Sequence, residues 1–490
     1  MEALDLDDLS VDVKFGTSAG PPPETLDLIP DGPIDNEALR MAIQRVVADV
    51  AHQKHRYGAI EQLLQRQPPR GKGLKVGQPI LVEGGDLISG VTKVIAGLQT
   101  SCLPIQGPPG TGKTYISSQA ILALIRAGKR VAVTSNSHKA IDNLLRAVAD
   151  RAREARYKLR AVKKVSGEDA GPGDDLIAVT KSNNDPRLMD YPLVGGTAWL
   201  FAREELDQAF DCLFVDEAGQ VALANAVAMA TCARNLVLVG DPMQLAQPIQ
   251  GAHPGDSGLS SLEYILAGHA TAPPDRGVFL PVSRRMHPSV CRYISDIVYE
   301  GRLRSDPDTE RQEIDQKRSS KTRLPSAGIG FIEVEHEGNS QSSPEEVEAL
   351  ARTYKALLGA SFRDRDGKYR SLGVGDILVV SPYNAQVNLL ARHLPAGARV
   401  GTVDRFQGQE APACLVSMAT SSGEELPRDV AFLFSTNRLN VAVSRAQALA
   451  VVFTSSRLLD VACRTVEDMK LVNALCALHD HTAERCLSST

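Results

Sequence analysis

Residues 107–114 have the sequence Gly-Pro-Pro-Gly-Thr-Gly-Lys-Thr, and this stretch decides the fold. It matches the phosphate-binding loop pattern; it follows the apolar run 103–106 and opens a helical pattern near residue 112. In this strand–loop–helix setting, backbone N–H groups at the helix start surround phosphates. Lys113 would reach the β- and γ-phosphates, and Thr114 would hold Mg²⁺. We therefore expect a nucleotide site formed by Gly107, Pro108, Pro109, Gly110, Thr111, Gly112, Lys113 and Thr114.

Two adjacent acids further along the chain supply a second part of this site. Residues 212–219 have the sequence Cys-Leu-Phe-Val-Asp-Glu-Ala-Gly, so an apolar strand would end at two carboxylates. Asp216 is placed to hold the metal, and Glu217 is placed to polarise the attacking water. The alternative is a strand end with two solvated acids. Beyond it, the run 236–239 ends in Gly-Asp-Pro-Met-Gln-Leu, where Gln244 could sense the γ-phosphate and a plain turn is the alternative.

Apolar strand patterns alternate with amphipathic helix patterns from residue 86 onward, which is typical of parallel α/β architecture. Strands are expected at 103–106, 130–134, 193–195, 212–215 and 236–239. A second series has strands at 330–334, 377–380, 414–418 and 449–454, with helices at 345–358 and 439–446. Each strand of the first series ends in a polar or glycine-rich turn, where open α/β sheets place their ligand sites.

The chain divides into five expected segments. These are an acidic flexible extension at 1–40, a helical and connector segment at 41–85, a first α/β unit at 86–278 with a surface insertion around 150–187, a second unit at 279–470 and a C-terminal tail at 471–490. A short helical stretch is expected at 38–65, and the charged residues 305–323 are expected to form an irregular connector.

Composition limits the class of protein. The chain has 43% hydrophobic and 23% charged residues, which is ordinary for a globular protein. The N-terminus lacks the basic and apolar regions of a secretory signal, and the apolar stretch 221–239 is interrupted by polar residues and an arginine. Eight cysteines without a Cys-x-x-Cys pair argue against a zinc or disulfide framework. We therefore expect a cytoplasmic protein with reduced thiols and no membrane contact.

The net charge of −5 does not by itself indicate a nucleic-acid binder, although a local basic track would be sufficient. Residues 151–164 contain seven positive side chains and one acid, and a solvated helix face is an equally good interpretation. Aromatic residues make up 4% of the chain, with one tryptophan, so backbone contacts are expected to dominate over base stacking in any strand complex.

Six sequence segments occur in a characteristic order. They are 107–114, Val-Asp-Glu-Ala-Gly at 215–219, Gly-Asp-Pro-Met-Gln-Leu at 240–245, Arg-Met-His-Pro at 285–288, Gly-Thr-Val-Asp-Arg-Phe-Gln-Gly-Gln-Glu at 401–410 and Arg-Leu-Asn-Val-Ala-Val-Ser-Arg at 438–445. This set resembles superfamily 1 helicases, in the branch that contains the nonsense-mediated-decay RNA helicase and the replication nuclease-helicase. Residues 104–110 and 135–139 look most like bacterial proteins that join a RecB-type nuclease to such a helicase. The resemblance covers roughly residues 55–470 and implies two tandem RecA-like P-loop NTPase domains with an interdomain nucleotide cleft.

The resemblance assigns roles in the second domain. Arg285 and Arg445 match the two arginines that such enzymes project onto the γ-phosphate of ATP. A cationic fork of this kind stabilises charge on the transferred phosphoryl group only when the domains close. Gly408 and Glu410 match positions near the nucleotide and the interdomain cleft. ATP and Mg²⁺ are therefore the implied substrate and cofactor.

The same resemblance implies contacts with a single strand. In the first domain they fall on Ser135, Asn136, Ser137, His138, Lys139 and Thr197, and in the second on Gln386 and Thr402. Hydroxyls and amides can bind phosphates without reading bases. Each of these residues also has an ordinary explanation as a turn residue or a helix cap.

The chain departs from the family pattern in two places. No glutamine lies between Gln78 and Gln99 to recognise adenine, and Arg284 stands where an aromatic residue often stacks on the base. No segment has the clustered acids and lysine of a RecB-type nuclease, so a nuclease would be a separate domain or partner.

The implied function is an ATP-dependent helicase or translocase on single-stranded nucleic acid, with DNA favoured over RNA and 5′-to-3′ polarity inherited from the branch. The alternatives are a nucleic-acid-stimulated ATPase that clamps or remodels without unwinding, and the helicase remnant of a longer nuclease-helicase.

Overall fold

The computed structural model describes residues 3–5, 10–12, 35–167, 169–245, 253–315, 324–406, 408–426 and 430–488. Residues 1–37 form one compact unit, in which β1 (Ala3–Asp5) and β2 (Ser10–Asp12) pair antiparallel. Residues 6–9 and 13–34 of the expected extension lie outside the described residues, and its last residues, from Glu37 on, are helical. The helical stretch expected at 38–65 is two helices, α1 (Glu37–Ala51) and α2 (Gly58–Leu64). Helix α3 (Leu87–Ala96) follows, and the Asp86 side chain caps it by accepting from the Ser89 N–H.

A parallel sheet forms the first half of the larger unit. Its strands within 35–315 are β3 (Cys102–Gln106), β4 (Val131–Thr134), β5 (Ala161–Lys164), β6 (Ile177–Thr180), β7 (Leu193–Gly195), β8 (Phe210–Val215), β9 (Ala233–Gly240) and β10 (Val278–Phe279). They lie in the order β10-β3-β9-β8-β4-β7-β5-β6, and each neighbouring pair is parallel. The helices are α4 (Lys113–Arg126), α5 (His138–Glu154), α6 (Arg187–Asp190), α7 (Ala198–Phe201), α8 (Leu223–Ala230) and α9 (Ser261–Leu266).

Both faces of this sheet are covered, which explains why its strands are apolar along their length. Successive side chains of a strand point to opposite faces. In β8, Leu213 and Val215 therefore join one buried core, whereas Cys212 and Phe214 join the other. The five strands expected in this half are confirmed, each within a few residues of the expected bounds.

The segment expected as a surface insertion around 150–187 instead extends the sheet, because β5 and β6 are two of its strands. Strand β5 is difficult to predict from sequence because it contains a lysine. The Lys163 side chain is 0% exposed. The Lys163 ammonium lies 2.7 Å from carboxylate oxygens of both Asp142 and Asp169. Two acids from other elements thus allow a lysine inside the sheet.

A second parallel sheet is described between residues 324 and 488. Its strands have the order β14 (Gly328–Glu333), β20 (Ala446–Thr454), β19 (Ala411–Ser417), β17 (Ile377–Ser381) and β18 (Arg399–Thr402). Shorter strands form small sheets beside it: β11 (Val282–Ser283), β12 (Arg304–Ser305), β13 (Glu313–Asp315), β15 (Ser361–Arg363) and β16 (Tyr369–Ser371). The helices are α10 (Pro288–Val298), α11 (Pro344–Leu357), α12 (Asn384–His393), α13 (Val430–Leu433), α14 (Thr436–Val443) and α15 (Val466–Ser488).

Two expectations for this half meet a different outcome. Part of the expected connector at 305–323 is ordered as β13, which pairs with β15, and residues 316–323 lie outside the described range. The expected C-terminal tail belongs to α15, where Leu475 and Leu478 are buried in the core. One continuous apolar core contains residues of both sheets, for example Leu238 and Val380. None of the described helices is long and apolar enough to cross a bilayer.

The buried lysine generates the first prediction. Replacing Lys163 by alanine removes the cation that two largely buried carboxylates share, and we expect a loss of about 3–5 kcal/mol in the free energy of unfolding. Urea denaturation followed by tryptophan fluorescence measures it, because the sole tryptophan, Trp199, lies in this half of the fold. The exposed neighbour Lys158 is the control, and its alanine variant should change stability by less than about 0.5 kcal/mol. Equal stability of the two variants would contradict the assignment.

Candidate nucleotide site between the two sheets

The phosphate-binding loop connects β3 to α4 and is held from both sides. The Gly107 N–H donates to the Gly240 carbonyl at 2.8 Å, and the Lys113 ammonium donates to the Gly107 carbonyl at 2.6 Å. A Cβ at residue 107 would lie 2.3 Å from Lys113 Cγ, so only glycine lets the lysine fold across the loop. Gly112 has φ of +82° and forms the left-handed start of α4, a conformation that glycine adopts without strain.

The segment before Arg285 contacts the other side of this loop. The Ser283 hydroxyl donates to the Pro109 carbonyl at 2.9 Å, and the Arg284 N–H donates to the Gly110 carbonyl at 2.9 Å. A Cβ at residue 110 would lie 2.5 Å from Arg285 Cβ. Arg285 is therefore positioned by direct packing against the loop that is expected to bind phosphates.

Asp216 and Glu217 follow β8 and differ in environment. The Asp216 side chain is 7% exposed, and burial, assisted by the adjacent Glu217 charge, raises its pKa to about 7 despite the opposing effect of Lys113. Glu217 has φ of +54° and ψ of +40°, a left-handed conformation that disfavours a residue with a Cβ. This backbone turns the second carboxylate away from the first and into the cleft.

Arg445 is the most buried cation of the site, with 1% of its surface exposed. Its guanidinium donates to the carbonyls of Val441 at 3.0 Å and Gln409 at 3.1 Å, and to the side-chain oxygen of Gln244 at 3.4 Å. Burial, together with the like charge of Arg285, lowers its pKa to about 9, so the group still carries its charge at neutral pH. Gln244 belongs to the first half of the fold, and this bond therefore crosses between the halves.

Arg285 is held by Glu410. The guanidinium of Arg285 donates to a Glu410 carboxylate oxygen at 2.5 Å and to the Ser444 carbonyl at 3.3 Å, and the Gln447 amide donates to the other Glu410 oxygen at 2.8 Å. Burial alone would raise the pKa of Glu410, but the Arg285 charge and these bonds hold that pKa below its ordinary value. The pair thus occupies Arg285 in this conformation.

These residues surround one cavity of about 290 Å³. Its lining comprises Pro109, Gly110, Thr111, Gly112, Lys113, Thr114, Glu217, Gln244, Arg285, Gly408 and Arg445. Eleven of the residues assigned to nucleotide chemistry from sequence thus come together, with Gly107, Pro108, Asp216 and Glu410 outside the lining.

The oxygen ligands present suit Mg²⁺. Thr114 offers a hydroxyl from the start of α4, and Asp216 offers a carboxylate whose raised pKa reflects a buried negative charge that lacks sufficient compensation. Hard oxygen donors of this number are typical of magnesium sites that are completed by nucleotide phosphates and water. In the described part of the chain, no group of three or more histidine, cysteine or acidic side chains is arranged to hold a metal by itself.

A buried polar network that the sequence did not reveal joins the two halves behind the cavity. The Tyr299 hydroxyl, at the end of α10, donates to the Asp241 carboxylate at 2.6 Å, and the Gln244 amide donates to the same oxygen at 2.9 Å. The Asn440 amide of α14 donates to the Tyr299 oxygen at 2.9 Å and to the Met243 carbonyl at 2.7 Å. Desolvation raises the pKa of Asp241, which shows how strongly this carboxylate depends on its donors. Asp241 and Asn440 lie in the quoted segments 240–245 and 438–445, whereas Tyr299 had no sequence signal.

The residues expected to contact a single strand in the first half have different positions. Ser137 and Lys139 are exposed at the start of α5, and Thr197 precedes α7. Ser135 is buried, and the Asn136 amide donates to the Gln220 carbonyl. His138 lies 2.8 Å from an Asp169 oxygen. Asn136, Ser137 and Lys139 are thus the exposed members of this set, whereas Thr197 is half-buried.

The two residues expected to contact the strand in the second half also differ. Thr402 ends β18 and is half-buried. Gln386 is 0% exposed, and its amide bonds Ser343 and the Ser417 hydroxyl. A direct strand contact by Gln386 is therefore corrected to a role in holding α12 and β19 together, because a buried and fully bonded amide has no surface to offer.

The basic stretch 151–164 is in part neutralised within the fold. Arg153 bonds Asp150, Asp174 and Asp175, and Arg151 pairs with Glu154. Lys163 is inside the sheet. Three of the seven positive side chains are therefore used within the fold, whereas Arg156, Lys158 and Arg160 are exposed.

Strand register aligns the candidate residues along one edge. Thr134 pairs with Val215, and Val133 pairs with Gly195, so Asp216, Ser135 and Thr197 all stand at the same level just beyond the carboxyl ends of β8, β4 and β7. Neighbouring strands lie ~4.8 Å apart, which places Thr197 roughly 10 Å along the edge from Asp216. The nucleotide chemistry and the strand candidates therefore share an edge of the first sheet.

A phosphate-binding loop and two carboxylates on one parallel sheet, facing two arginines from a second, define a P-loop NTPase with two tandem RecA-like domains. Residues 91–256 and 260–457 each match a family model described as an AAA domain. The chain is 27% identical over 380 residues to the DNA replication ATP-dependent helicase/nuclease dna2 of Schizosaccharomyces pombe, covering 72% of this chain and 26% of that protein. It is 26% identical over 419 residues to the DNA-binding protein SMUBP-2 of Rattus norvegicus, covering 72% of this chain and 41% of that protein. These matches support a superfamily 1 helicase family.

The fold is also similar to that of a solved helicase structure. The structure of Arterivirus nonstructural protein 10 (helicase) in complex with DNA aligns with 80% of this chain and with 66% of the viral chain. The sequence identity is 14% and the TM-score is 0.41. The chain spans well under half of the length of the two relatives described above. The finer resemblance to bacterial RecB-type fusions stays a prediction.

The raised pKa of Asp216 predicts a pH-dependent metal requirement. Below about pH 7 the nucleotide-free protein holds a proton on this carboxylate, and Mg²⁺ must displace it. We expect the gain in ATP affinity that Mg²⁺ provides over EDTA to fall about tenfold from pH 8 to pH 6. Calorimetric titration with a non-hydrolysable ATP analogue measures this gain. The Asp216→Asn variant should show a small gain that does not vary with pH, and an unchanged gain in the parent protein would contradict the prediction.

The buried network generates a further prediction. Tyr299→Phe keeps the ring but removes the hydroxyl that orients Asp241 and, through it, Gln244. We expect kcat for ATP hydrolysis to fall roughly tenfold, which corresponds to about 1.4 kcal/mol, with KM nearly unchanged. Tyr293→Phe is a matched control on the same helix, because its buried hydroxyl donates to the Ala474 carbonyl, away from the cleft. An equal loss of kcat in both variants would identify a merely structural effect.

Proposed function

We propose that this chain is an ATP-dependent motor that moves along single-stranded nucleic acid and separates strands ahead of it. The observation that carries the proposal is the composition of the cavity. Lys113, Thr114, Glu217 and Gln244 come from the first domain, and Gly408 and Arg445 come from the second. A nucleotide bound there would contact both domains, so its binding and hydrolysis would change the geometry between them.

The chemistry follows from the positions of the side chains. Lys113 is proposed to bind the β- and γ-phosphates after leaving the Gly107 carbonyl, and Glu217 is proposed to orient and polarise the attacking water. Arg445 is proposed to stabilise negative charge on the transferred phosphoryl group. Mg²⁺, held by Thr114 and Asp216, would supply charge neutralisation for the phosphates. Gln244 contacts Arg445 and is bonded to Asp241, so it is placed to report the loss of the γ-phosphate.

Arg285 would change partner during this cycle. In the structure it bonds Glu410 and the Ser444 carbonyl. A γ-phosphate in the cavity would compete for the same guanidinium, and a triphosphate carries more negative charge than one carboxylate. Arg285 would then bond Glu410 when the cavity holds no γ-phosphate and bond the γ-phosphate when ATP is present. ATP binding would thereby release Glu410, which lies two residues after Gly408.

The single strand is proposed to lie on the carboxyl edge of the first sheet, beside Ser137, Lys139 and Thr197, and to continue to Thr402 of the second. DNA is preferred over RNA because two relatives are named for DNA functions. The 5′-to-3′ polarity and a nuclease domain or partner follow from the family resemblance. A cytoplasmic location is part of the same proposal.

One experiment separates this motor from its alternatives. ATP turnover is measured without nucleic acid, with single-stranded DNA and with single-stranded RNA, and strand displacement is measured on duplexes with a 5′ or a 3′ tail. We expect turnover to rise with DNA and displacement to require the 5′ tail. Stimulated turnover without displacement would identify a clamp, and turnover indifferent to both nucleic acids would refute the motor.

Variants connect this activity to the cleft. Lys113→Ala should abolish turnover, whereas Arg445→Ala should retain ATP binding and lose hydrolysis by about 10³-fold or more. Arg457→Ala is the control, because Arg457 is a half-exposed arginine that pairs with the exposed Glu337 outside the cavity. Near-parental turnover in Arg445→Ala would show that the two domains do not share the catalytic site.

A further inference from the structure

Trp199 is an exposed side chain in a buried turn. The short helix α7 contains Ala198, Leu200 and Phe201, which are 6%, 4% and 0% exposed, whereas Trp199 is 40% exposed. It is the one tryptophan of the sequence. The neighbouring side chains of this turn pack into the core, and the indole of Trp199 therefore lies on the outer side of the helix.

The turn that carries this indole is anchored on several sides. Phe201 packs edge-on against Phe210 with ring centroids 5.8 Å apart. Leu200 covers Gly196 so closely that a Cβ there would lie 2.5 Å from its Cδ2 atom. The Arg45 guanidinium donates to the Ala202 carbonyl at 2.8 Å. The backbone beneath Trp199 is therefore held in place, and a ligand that contacts the indole has little chain to order.

The position of Trp199 along the sheet connects it with the proposed strand path. It follows Thr197 by two residues, and Thr197 shares the level of Ser135 and Asp216 at the carboxyl edge. The loop after β4, which is the neighbouring strand, presents the exposed Ser137 and Lys139. On this side of Thr197 the exposed residues of the loop after β4 are polar or basic, which suits a phosphate track better than an apolar protein-docking patch.

We propose that Trp199 is a stacking platform for one base of the bound single strand. This inference rests on the proposed function, and it refines the expectation that backbone contacts dominate. Every base has a π-face, so stacking on an indole strengthens binding without selecting sequence, by roughly five- to 150-fold for each stacked base. The hydroxyls and Lys139 would hold the backbone, while Trp199 would hold one base at a fixed distance from the nucleotide site.

Intrinsic fluorescence tests this directly, because all tryptophan emission comes from Trp199. The full chain is titrated with oligothymidylate and with an oligomer of equal length that has a run of abasic sites, and binding of each is followed independently by the anisotropy of a 3′ dye. We expect oligothymidylate to quench the emission in step with binding. The abasic oligomer should bind without comparable quenching. Saturating oligothymidylate binding with unchanged emission would overturn the proposal.

Affinity provides a second measurement. Trp199→Ala should weaken oligothymidylate binding about tenfold and leave abasic-oligomer binding within about twofold, whereas Trp199→Phe should restore most of the loss. Tyr369→Ala is the control, since Tyr369 is a 65% exposed aromatic residue on the small sheet of the second domain. Equal weakening for both oligomers would show that the residue acts through the fold, and the platform would be wrong.

The failure of this inference is distinguishable from failure of the motor. If single-stranded DNA stimulates ATP turnover but neither quenches Trp199 nor depends on it, the motor stands and the platform is refuted. If neither oligomer binds, the proposed function falls and the platform falls with it.

Discussion

The buried positive charge of Arg445 is the constraint on which the nucleotide site depends. A guanidinium with 1% exposure stays charged only where its donors are bonded and where negative charge can approach. Carbonyls of Val441 and Gln409 satisfy two donors, and Gln244 from the other domain accepts from a third. Arg285 places a second cation nearby, which lowers the pKa of Arg445 further. The surroundings of these two arginines therefore favour a bound anion, and a polyphosphate would supply that negative charge.

The two sheets determine where the residues around Arg445 lie. Both are parallel, so each collects the carboxyl ends of its strands at one edge. In the first sheet that edge carries the phosphate-binding loop, Asp216 and the candidate strand contacts within a few strand spacings. Because the apolar core runs through both domains, the elements that border the cavity are packed against both sheets. The Tyr299 hydroxyl is one discrete point where the domains meet, since it bonds Asp241 of one and Asn440 of the other.

Local sequence patterns were sufficient to predict part of the fold and of the nucleotide site, but not the features that depend on contacts between separate elements. The phosphate-binding loop and the strand that ends at Asp216 could be predicted because their chemistry lies in contiguous residues. The strand β5 was missed because Lys163 is acceptable inside a sheet only through Asp142 and Asp169, and no local pattern shows that these two acids face it. Gln386 was misassigned because its burial depends on Ser343 and Ser417. Tyr299 carries no motif, and its role exists only once α10 has packed beside the Asp241 turn.

Glu217 adopts a left-handed backbone conformation at the centre of the site. For a residue with a Cβ this costs roughly 1–2 kcal/mol, which glycine would avoid and asparagine would reduce. Either replacement would remove the carboxylate that is placed beside the cavity. The protein thus gives up folding stability at the residue where it positions a charge for chemistry. A lineage selected for thermal robustness alone would drift towards glycine or asparagine at this position, and glutamate would persist only where turnover is itself under selection.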